Sequence, residues 1–411
     1  MLSAIFTITT CIVSFRIMRD LFEVNSIIAF CVVLTTAFTR IIWSQSIIAE
    51  VYTLNLLYVS LVLYFFITWN RTMKDKYFYL GVFFYAISFG NHLTMITFLL
   101  SVVYLVIATD KKAFLDLRKV IFVISFIIIG ACQYIYLLWV SQASNSPVFL
   151  EHSVKDFESF WMFVTGTGLK ANMFSMPFSA VVSVQLPAFF QNLYDQFSLL
   201  LPVAGVGFYK LGVRNRLNLF LFLGIIGNVF LAINYNIPDI FVYYMPTYLI
   251  VGIYIAIGFN AIFCYRDISR FKWLPVILVT VPIMMVTANF HFVNQHDKTE
   301  YANNVEDVLN VVNSNALIIS TGDYHYDMFF QYYLLGEDYQ KNNNIFLIRF
   351  DPQQIMQYIS SGTPLALPGQ KIMPPGGLSV YCIDETQLQG LQDAGLKLTG
   401  VGDGVAVKVD I

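Results

Sequence analysis

The chain of 411 residues is 57% hydrophobic and 12% charged, with a formal net charge of −2. Its apolar runs recur through the first 290 residues, which excludes an ordinary soluble protein and predicts a protein that crosses the bilayer several times. The charge gives no indication of nucleic-acid binding. The five cysteines suggest neither a disulfide framework nor a CxxC metal site.

Ten apolar segments are predicted to be transmembrane helices. Segments such as 119–140 and 240–262 reach the roughly 20 residues needed to cross the hydrocarbon layer. The ten segments are residues 1–15, 25–41, 46–69, 77–89, 93–109, 119–140, 181–208, 217–235, 240–262 and 273–290. The sequence therefore predicts a polytopic α-helical membrane domain over residues 1–290.

Basic residues divide the loops into two sets, which predicts the orientation. One set holds Arg16, Arg19, Arg71, Lys74, Lys76, Lys111, Lys112, Arg118, Lys119, Lys210, Arg214, Arg216, Arg266, Arg270 and Lys272. The other set, before residue 291, holds only Arg40, Lys155 and Lys170. The positive-inside rule places the richer set in the cytoplasm, so both termini and residues 291–411 are expected outside or in a lumen. The one sequon, Asn70-Arg-Thr72, is then cytoplasmic, which favours a bacterial cytoplasmic membrane over the endoplasmic reticulum.

The first unusual element is residues 43–55, where a carboxylate and two amides interrupt an apolar stretch. An ionisable side chain is costly in hydrocarbon, so Glu50 is a candidate site residue. At helical spacing Trp43, Ser46 and Glu50 are expected to share one helix face. A half-buried carboxylate with a raised pKa would be a general base for an acceptor hydroxyl.

Arg40 lies ten residues before Glu50, and three roles are possible for its side chain. The two residues form a structural ion pair across a tight turn, or the guanidinium binds a phosphate leaving group through its bidentate fork. In the third reading Arg40 is an interfacial anchor whose head reaches lipid headgroups. The sequence alone leaves these alternatives open.

A short hairpin is predicted where Gly90-Asn91-His92 joins two apolar segments. Asn91 would cap the helix that follows. His92 would donate to a phosphate or carry a proton at the membrane surface, or it would simply be a satisfied polar residue between helices.

Further along, Pro238-Asp239 opens the segment that contains Tyr243, Tyr244 and Tyr248. Asp239 would orient an acceptor or a partner arginine while the tyrosines line a lipid or sugar groove. The alternative is an aromatic belt preceded by a helix-start carboxylate.

Residues 291–411 change character and predict a small extramembrane α/β domain. Short buried strands are expected at 316–321, 345–350 and 378–382, with helices at 300–313, 325–336, 352–360 and 385–394. No phosphate-binding glycine motif accompanies them, so no nucleotide is implied. The loose spacing of His291, His296 and Asp297, and of Asp323, His325 and Asp327, predicts no metal site.

Together these residues resemble the family of vertebrate transmembrane protein 260 and its bacterial relatives, which is grouped with membrane glycosyltransferases of the GT-C architecture. The passages that carry the resemblance are Trp43-Ser-Gln-Ser-Ile-Ile-Ala-Glu-Val-Tyr-Thr-Leu-Asn55, Gly90-Asn-His-Leu-Thr94, Asn145 to Phe174, Asp239 to Tyr248, and Asn289 to Asp323. The resemblance spans most of the chain.

The resemblance implies a GT-C-like fold and transfer of a hexose, such as mannose, from a polyprenyl-phosphate donor. The acceptor, for which a protein hydroxyl is one candidate, would lie on the non-cytoplasmic face. No cofactor or metal is implied beyond the lipid-linked sugar. Glu50 is then the candidate catalytic residue, and the candidate substrate-binding residues are Arg40, Gln45, Asn91, His92, Asp239 and Tyr243.

The chain departs from the family pattern in three places. Met162 stands where relatives commonly carry a histidine, and Tyr324-His325 replaces Asn-Asp. The acidic residue expected in a first outer loop of GT-C enzymes is absent, which predicts that an N-terminal portion with the leading carboxylate is missing. The alternatives to an enzyme are therefore a non-catalytic or truncated membrane scaffold, and a transporter or flippase.

Overall fold

The computed structural model describes residues 1–142, 154, 156–167, 171–264, 274–296, 299–312, 314–320, 323–337, 342–348, 350–361, 376–402 and 404–410. Several residues named above lie outside these ranges: Lys155, Lys170, Arg266, Arg270, Lys272 and Asp297. The chain divides into two compact units, one formed by Met1–Leu137 with Trp161–Asn294 and the other by Leu138–Phe160 with Gln295–Ile411.

Helices make up the first unit, and two of them extend across the boundary between the units. In chain order the α-helices are α1 Leu2–Arg16, α2 Ser26–Ala37, α3 Arg40–Ile47, α4 Tyr52–Thr72, α5 Asp75–Ser88, α6 Leu99–Thr109, α7 Leu117–Gln142, α8 Phe157–Val164, α9 Phe178–Ala180, α10 Leu186–Phe197, α11 Leu201–Leu211, α12 Arg216–Ile233, α13 Met245–Phe263 and α14 Leu274–Val293. Short 3₁₀ turns at Leu93–Phe98 and Ile240–Tyr244 lead into α6 and α13, and Ser198–Leu200 leads into α11. One-turn π segments lie at Ile17–Leu21 and Val181–Gln185.

Five of these helical stretches are long and apolar enough to cross a membrane: Leu2–Leu21, Tyr52–Thr72, Leu117–Val140, Arg216–Ile233 and Ile240–Phe263. A sixth exists if Ser26–Ala37 and Arg40–Ile47, bent by 69°, count as one broken span. A multi-pass membrane protein is therefore supported, but ten spans are not confirmed among the described residues.

The shortfall from ten spans has a local cause in the segment predicted at 181–208. This segment is not one helix, because Ser198 takes a left-handed backbone conformation with φ of 46° and ends α10 before α11 begins. Helix α5 is also short, at 14 residues. A left-handed φ at a residue other than glycine is uncommon and breaks the repeat of helical hydrogen bonds. Hydropathy does not detect such a break.

Helix α13 forms the centre of the membrane unit, and its residues from Met245 to Gly258 are buried. It packs closely on α11, where a Cβ at Gly207 would collide with the carbonyl oxygen of Tyr254 and one at Gly258 with that of Val203. Small residues at facing positions let two helix backbones approach, as in many membrane bundles. Side-chain amides also link distant segments, for example Asn260 Oδ1, which accepts from Asn25 N at 3.0 Å.

The C-terminal unit contains a five-stranded sheet with helices, which confirms the expected combination of strands and helices. Its helices are α15 Glu300–Val311, α16 Tyr324–Gln331, α17 Pro352–Ser361 and α18 Glu385–Asp393, with a π turn at Tyr332–Gly336. Its strands are β1 Ala316–Ile319, β2 Ile345–Ile348, β3 Ser379–Cys382, β4 Lys397–Val401 and β5 Ala406–Asp410.

The strand order is β2-β1-β3-β5-β4, with β1 parallel to β2 and β3, and β5 antiparallel to β3 and β4. The three strands and four helices expected from the sequence are confirmed, whereas the pair β4–β5 was not predicted. Helices are the usual crossovers between parallel strands, which explains the alternation of strand and helix.

Candidate functional site

The residues around Glu50 form a connector between two helices and not a continuous helix. α3 ends at Ile47, Ile48 is extended with φ of −109° and ψ of 162°, and α4 begins at Tyr52. The expectation that Glu50 shares a helix face with Trp43 is therefore wrong. Its side chain is exposed rather than half-buried.

Asn91 crosses to this connector. Its Nδ2 donates to the backbone oxygen of Val51 at 3.2 Å, so it ties the turn after α5 to the start of α4. The predicted role of Asn91 as a helix cap is wrong, because His92 takes that position. His92 Nδ1 accepts from Thr94 N at 3.3 Å and lies 2.8 Å from Thr94 Oγ1. The 3₁₀ turn at Leu93–Phe98 starts from this cap.

Three sequence motifs meet around Tyr52. Its hydroxyl donates to Asp239 Oδ2 at 3.4 Å, and its ring centroid lies 5.6 Å from those of both His92 and Tyr243. His92 and Tyr243 are in edge contact at 5.4 Å. Tyr235 adds another edge contact to Tyr243 at 5.6 Å. We call Tyr52, His92, Tyr235, Asp239 and Tyr243 the tyrosine–histidine cluster.

Helix α12 holds the Tyr243 part of the cluster in place. Asn228 Nδ2 donates to the Tyr243 carbonyl at 2.9 Å, and Asn228 Oδ1 accepts from Thr247 Oγ1 at 2.7 Å. Asn228 is buried and has hydrogen bonds at both ends of its amide. A satisfied buried amide fixes local geometry because any shift would leave a polar group unpaired. The 3₁₀ turn at Ile240–Tyr244 is therefore anchored to α12.

Tyr235 is fixed by a strand-like contact with residues 172–174. Met173 and Tyr235 form an antiparallel bridge, and Phe174 N donates to Asn234 O at 2.7 Å. The Phe174 and Phe230 rings lie 6.0 Å apart. The passage ending at Phe174 in the sequence analysis thus reaches the same region as Asp239, although much of the preceding loop lies outside the described residues.

The imidazole of the cluster is neutral. Burial lowers the pKa of His92 to about 4, so the ring is neutral at neutral pH. Burial raises the pKa of the Tyr235 hydroxyl, which keeps it protonated. Neither Glu50 nor Asp239 takes part in the ion pairs formed by the described residues. Both carboxylates remain available as proton or hydrogen-bond acceptors.

Arg40 and Gln45 are not joined to the cluster by any hydrogen bond or ring contact of the described residues. The ion pair of Arg40 with Glu50 is not formed; instead the Arg40 guanidinium lies 4.0 Å from the Phe292 ring centroid. The Ile41 backbone N donates to Gln196 Oε1 at 3.0 Å, which caps the first turn of α3. These contacts place α3 against later helices of the membrane unit.

Buried acceptors without a donor are concentrated in residues 45–55. Gln45 Oε1, Thr53 Oγ1 and Asn55 Oδ1 are buried and accept no hydrogen bond from any described residue. Each such atom costs roughly 1–3 kcal/mol when it loses water and gains no partner. Atoms of this kind suit ligand hydroxyls, and only Gln45 among them was a predicted site residue.

An apolar cavity of about 540 Å³ lies between α4, α5, α6 and α7. Its lining includes Leu93, the residue after His92, together with Phe66, Phe89, Val106 and Tyr134. A second apolar groove of about 450 Å³ lies between α1 and α2 and ends at Trp43. Both spaces have almost purely hydrocarbon walls, as a lipid chain requires.

The site residues that sequence reasoning missed are hydroxyl bearers. Tyr52, Thr94 and Tyr235 supply contacts within the cluster, and Asn228 supports it. Tyr52 and Thr94 lie inside the two motifs quoted for the family resemblance, so their position was a usable signal. Tyr235 and Asn228 had no local signal, because their roles arise from the return of α12 to the same end of the bundle.

The cluster joins the connector before α4 to the turn after α5, and both belong to one N-terminal segment. Residues 1–115 match the family model of the protein O-mannosyl-transferase TMEM260 N-terminal domain. The TMEM260-matched segment contains Arg40, Gln45, Glu50, Asn91 and His92 but neither Asp239 nor Tyr243. The family resemblance of the motifs is thus confirmed over these residues.

The fold of the chain is also similar to that of a solved membrane protein. The chain is similar to ArnT from Cupriavidus metallidurans, whose crystal structure has undecaprenyl phosphate bound. The TM-score is 0.63 at 12% sequence identity, and the similarity covers 100% of this chain and 83% of ArnT. At this identity the likeness concerns the fold alone. No curated protein matches the chain in sequence.

Proposed function

We propose that the protein is a membrane glycosyltransferase that moves a hexose, such as mannose, from a polyprenyl-phosphate donor to an acceptor hydroxyl. The observation that carries this proposal is the tyrosine–histidine cluster, in which the TMEM260-matched segment meets Asp239 and Tyr243. The match to a protein O-mannosyl-transferase domain and the ArnT-like fold support the reaction class. A protein hydroxyl is the acceptor that this family match favours.

The reaction requires a base and a stabilised leaving group. The acceptor oxygen forms a bond to the anomeric carbon, the bond from that carbon to the phosphate oxygen breaks, and polyprenyl phosphate leaves. We assign the acceptor's proton to Glu50, an exposed carboxylate without an ion pair, and the binding of acceptor hydroxyls to Asp239. The tyrosine hydroxyls are donors that can stabilise charge on the leaving phosphate.

The apolar cavity beside Leu93 supports a lipid-linked donor. A prenyl chain that filled this space and left it at Leu93 would put its phosphate close to the turn that carries Asn91 and His92. Binding energy from a remote chain can position the reacting centre, which raises the rate without new catalytic groups. A soluble nucleotide sugar has no hydrocarbon chain that could fill an apolar cavity of this size.

The test is a sugar-transfer assay on the purified full chain in lipid nanodiscs, with a radiolabelled polyprenyl-phosphate hexose. We expect transfer to fall by about 100-fold or more in Glu50→Gln, because removing a general base typically costs 10²–10⁴-fold. Glu23→Gln is the matched control, since Glu23 is also an exposed connector glutamate of the membrane unit, and should retain activity. Absence of transfer by the parent chain, or transfer that does not depend on Glu50, would overturn the proposal.

A further inference from the structure

The cap formed by His92 fixes which of its ring nitrogens carries a proton. Nδ1 lies 3.3 Å from the Thr94 backbone nitrogen and 2.8 Å from Thr94 Oγ1. A backbone N–H can only donate, so Nδ1 must be an unprotonated acceptor. A neutral imidazole carries one proton, and that proton is therefore on Nε2. The sequence predicted a phosphate donor, a proton carrier or a satisfied polar residue at this position, and it gave no choice between the two tautomers.

The groups packed against His92 come from two other elements. Tyr52 from α4 and Tyr243 from the 3₁₀ turn contact its ring. Asp239 accepts a hydrogen bond from the Tyr52 hydroxyl. Glu50 lies two residues before Tyr52. Burial of the ring opposes protonation and lowers the pKa of His92 to about 4. The contact of Nδ1 with the Thr94 N–H also opposes protonation at that nitrogen.

We propose that Thr94 is a positioning residue that fixes His92 as the Nε2–H tautomer, and that Nε2–H donates to a phosphate oxygen of the lipid-linked donor. The second half of this statement rests on the proposed function. The first half concerns only the free protein. His92 is then neither the base of the reaction nor a cationic phosphate clamp.

A fixed neutral donor suits a phosphate that leaves. The bridging and terminal oxygens of the phosphate only accept hydrogen bonds, so the donor proton at Nε2 needs no change of tautomer during a turnover. As the bond to the sugar breaks, negative charge grows on the phosphate, and a hydrogen bond to it strengthens. A preorganised donor among aromatic rings gains from the low local polarity.

Two substitutions test the roles of the two ring nitrogens, Nδ1 and Nε2, separately. His92→Asn keeps an acceptor for the Thr94 N–H, because asparagine is a favourable cap, but it removes the Nε2 donor. His92→Gln keeps a distal N–H donor and loses the cap. We expect His92→Asn to bind undecaprenyl phosphate about 10- to 100-fold more weakly, the range for a hydrogen bond to a charged group, and His92→Gln to lose less. Both variants should bind undecaprenol, which lacks the phosphate, as the parent does.

The direct readout is ¹⁵N NMR of the full chain in nanodiscs with ¹⁵N-labelled histidine, the His92 signals being assigned by their loss in His92→Asn. At pH 7 we expect one protonated nitrogen, Nε2, and one unprotonated nitrogen, Nδ1. Addition of undecaprenyl phosphate should shift the Nε2 signal, and undecaprenol should not. Thr94→Val keeps the backbone N–H but removes the hydroxyl, so Nδ1 should stay unprotonated while its ¹⁵N signal shifts because the contact with Oγ1 is lost.

An Nδ1–H tautomer or an imidazolium at pH 7 in the parent would overturn the assignment of the Nε2–H tautomer to His92. A bound undecaprenyl phosphate that leaves the Nε2 signal unchanged would overturn the phosphate contact alone. If undecaprenyl phosphate does not bind at all, the proposed function fails and the phosphate contact with it, while the tautomer is still read from the free protein.

Discussion

The Arg40 guanidinium lies 4.0 Å from the centroid of the Phe292 ring, which joins the start of α3 to the end of α14. Such a contact contributes about 0.5–1 kcal/mol at an exposed site. Phe292→Leu should therefore lower the free energy of unfolding by no more than about 1 kcal/mol, measured by thermal unfolding in detergent. Arg40→Gln should do the same, and a larger loss in donor affinity for Arg40→Gln than for Phe292→Leu would identify Arg40 as a phosphate ligand. Equal affinity in both variants would leave Arg40 as an anchor.

Removal of the Tyr52 hydroxyl should affect activity more than stability. Its hydrogen bond to Asp239 is long, at 3.4 Å, so Tyr52→Phe should change the free energy of unfolding by less than about 1 kcal/mol. The transfer rate should fall about 3- to 10-fold, because Asp239 loses the group that orients it. Tyr58→Phe on the same helix serves as the control. Unchanged kinetics in Tyr52→Phe would contradict a role for this bond.

Stability should depend on pH through His92. Its folded pKa of about 4 lies below the ordinary histidine value of about 6.5, so the unfolded chain binds more protons between these two pH values. Stability is therefore full above pH 6.5 and is lost as the pH falls towards 4, by on the order of 3 kcal/mol. Unfolding of the parent and of His92→Asn should be followed at several pH values in this window. If the free energy of unfolding of the parent falls no more steeply with pH than that of His92→Asn, the low pKa of folded His92 is refuted.

Asn55→Leu should separate stability from function. The change keeps the side-chain volume nearly constant and removes a buried acceptor that has no donor among the described residues, so stability should rise by about 1–2 kcal/mol. Activity should fall if Asn55 accepts a substrate hydroxyl. Asn228→Leu is the counterpart: it breaks two hydrogen bonds and should cost about 2–3 kcal/mol. Destabilisation by Asn55→Leu would show that its amide has a structural role.

The close contact of α11 and α13 should tolerate no added methyl group. Gly207→Ala places a Cβ on the Tyr254 carbonyl, so the helices must separate at a cost of about 1–3 kcal/mol. Gly205→Ala, two residues earlier on the same helix, meets nothing within 4 Å. It should be neutral or stabilising by up to about 1 kcal/mol. Similar losses in both variants would contradict the packing argument.

Much of the fold was predictable from apolar patterning. The helical membrane part and the first three strands with their helices follow from runs of apolar residues whose period and length differ between helix and strand. The break at Ser198 and the bend between α2 and α3 were not predicted, because the residues at these two breaks are neither proline nor glycine. Pro202, in the first turn of α11, was a usable signal for the start of that helix. Strands β4 and β5 were not predicted because their residues are mostly half-exposed or exposed and give only a weak alternation of apolar and polar residues.

The candidate site was predictable only in part, because Arg40 and Gln45 do not join the tyrosine–histidine cluster and Tyr52 and Tyr235 were not predicted. Asn91, His92, Asp239 and Tyr243 stood out as polar or aromatic residues next to apolar segments, and the structure brings these four together. The exchange of roles between Asn91 and His92 could not be foreseen, since either side chain can accept from a helix N-terminus. The exposure of Glu50 depends on where α3 ends, which single-sequence reasoning fixes only to within a few residues.

The bond from the Ile41 N–H to Gln196 has a consequence for work with fragments. Gln196 lies 155 positions further along the chain, well beyond the TMEM260-matched residues. A polypeptide that stopped at residue 115 would retain the connector with Glu50 and the turn with His92, but its α3 would start from an amide with no acceptor. The matched segment therefore depends on a contact with a later part of the chain, and binding and activity should be measured on the full chain.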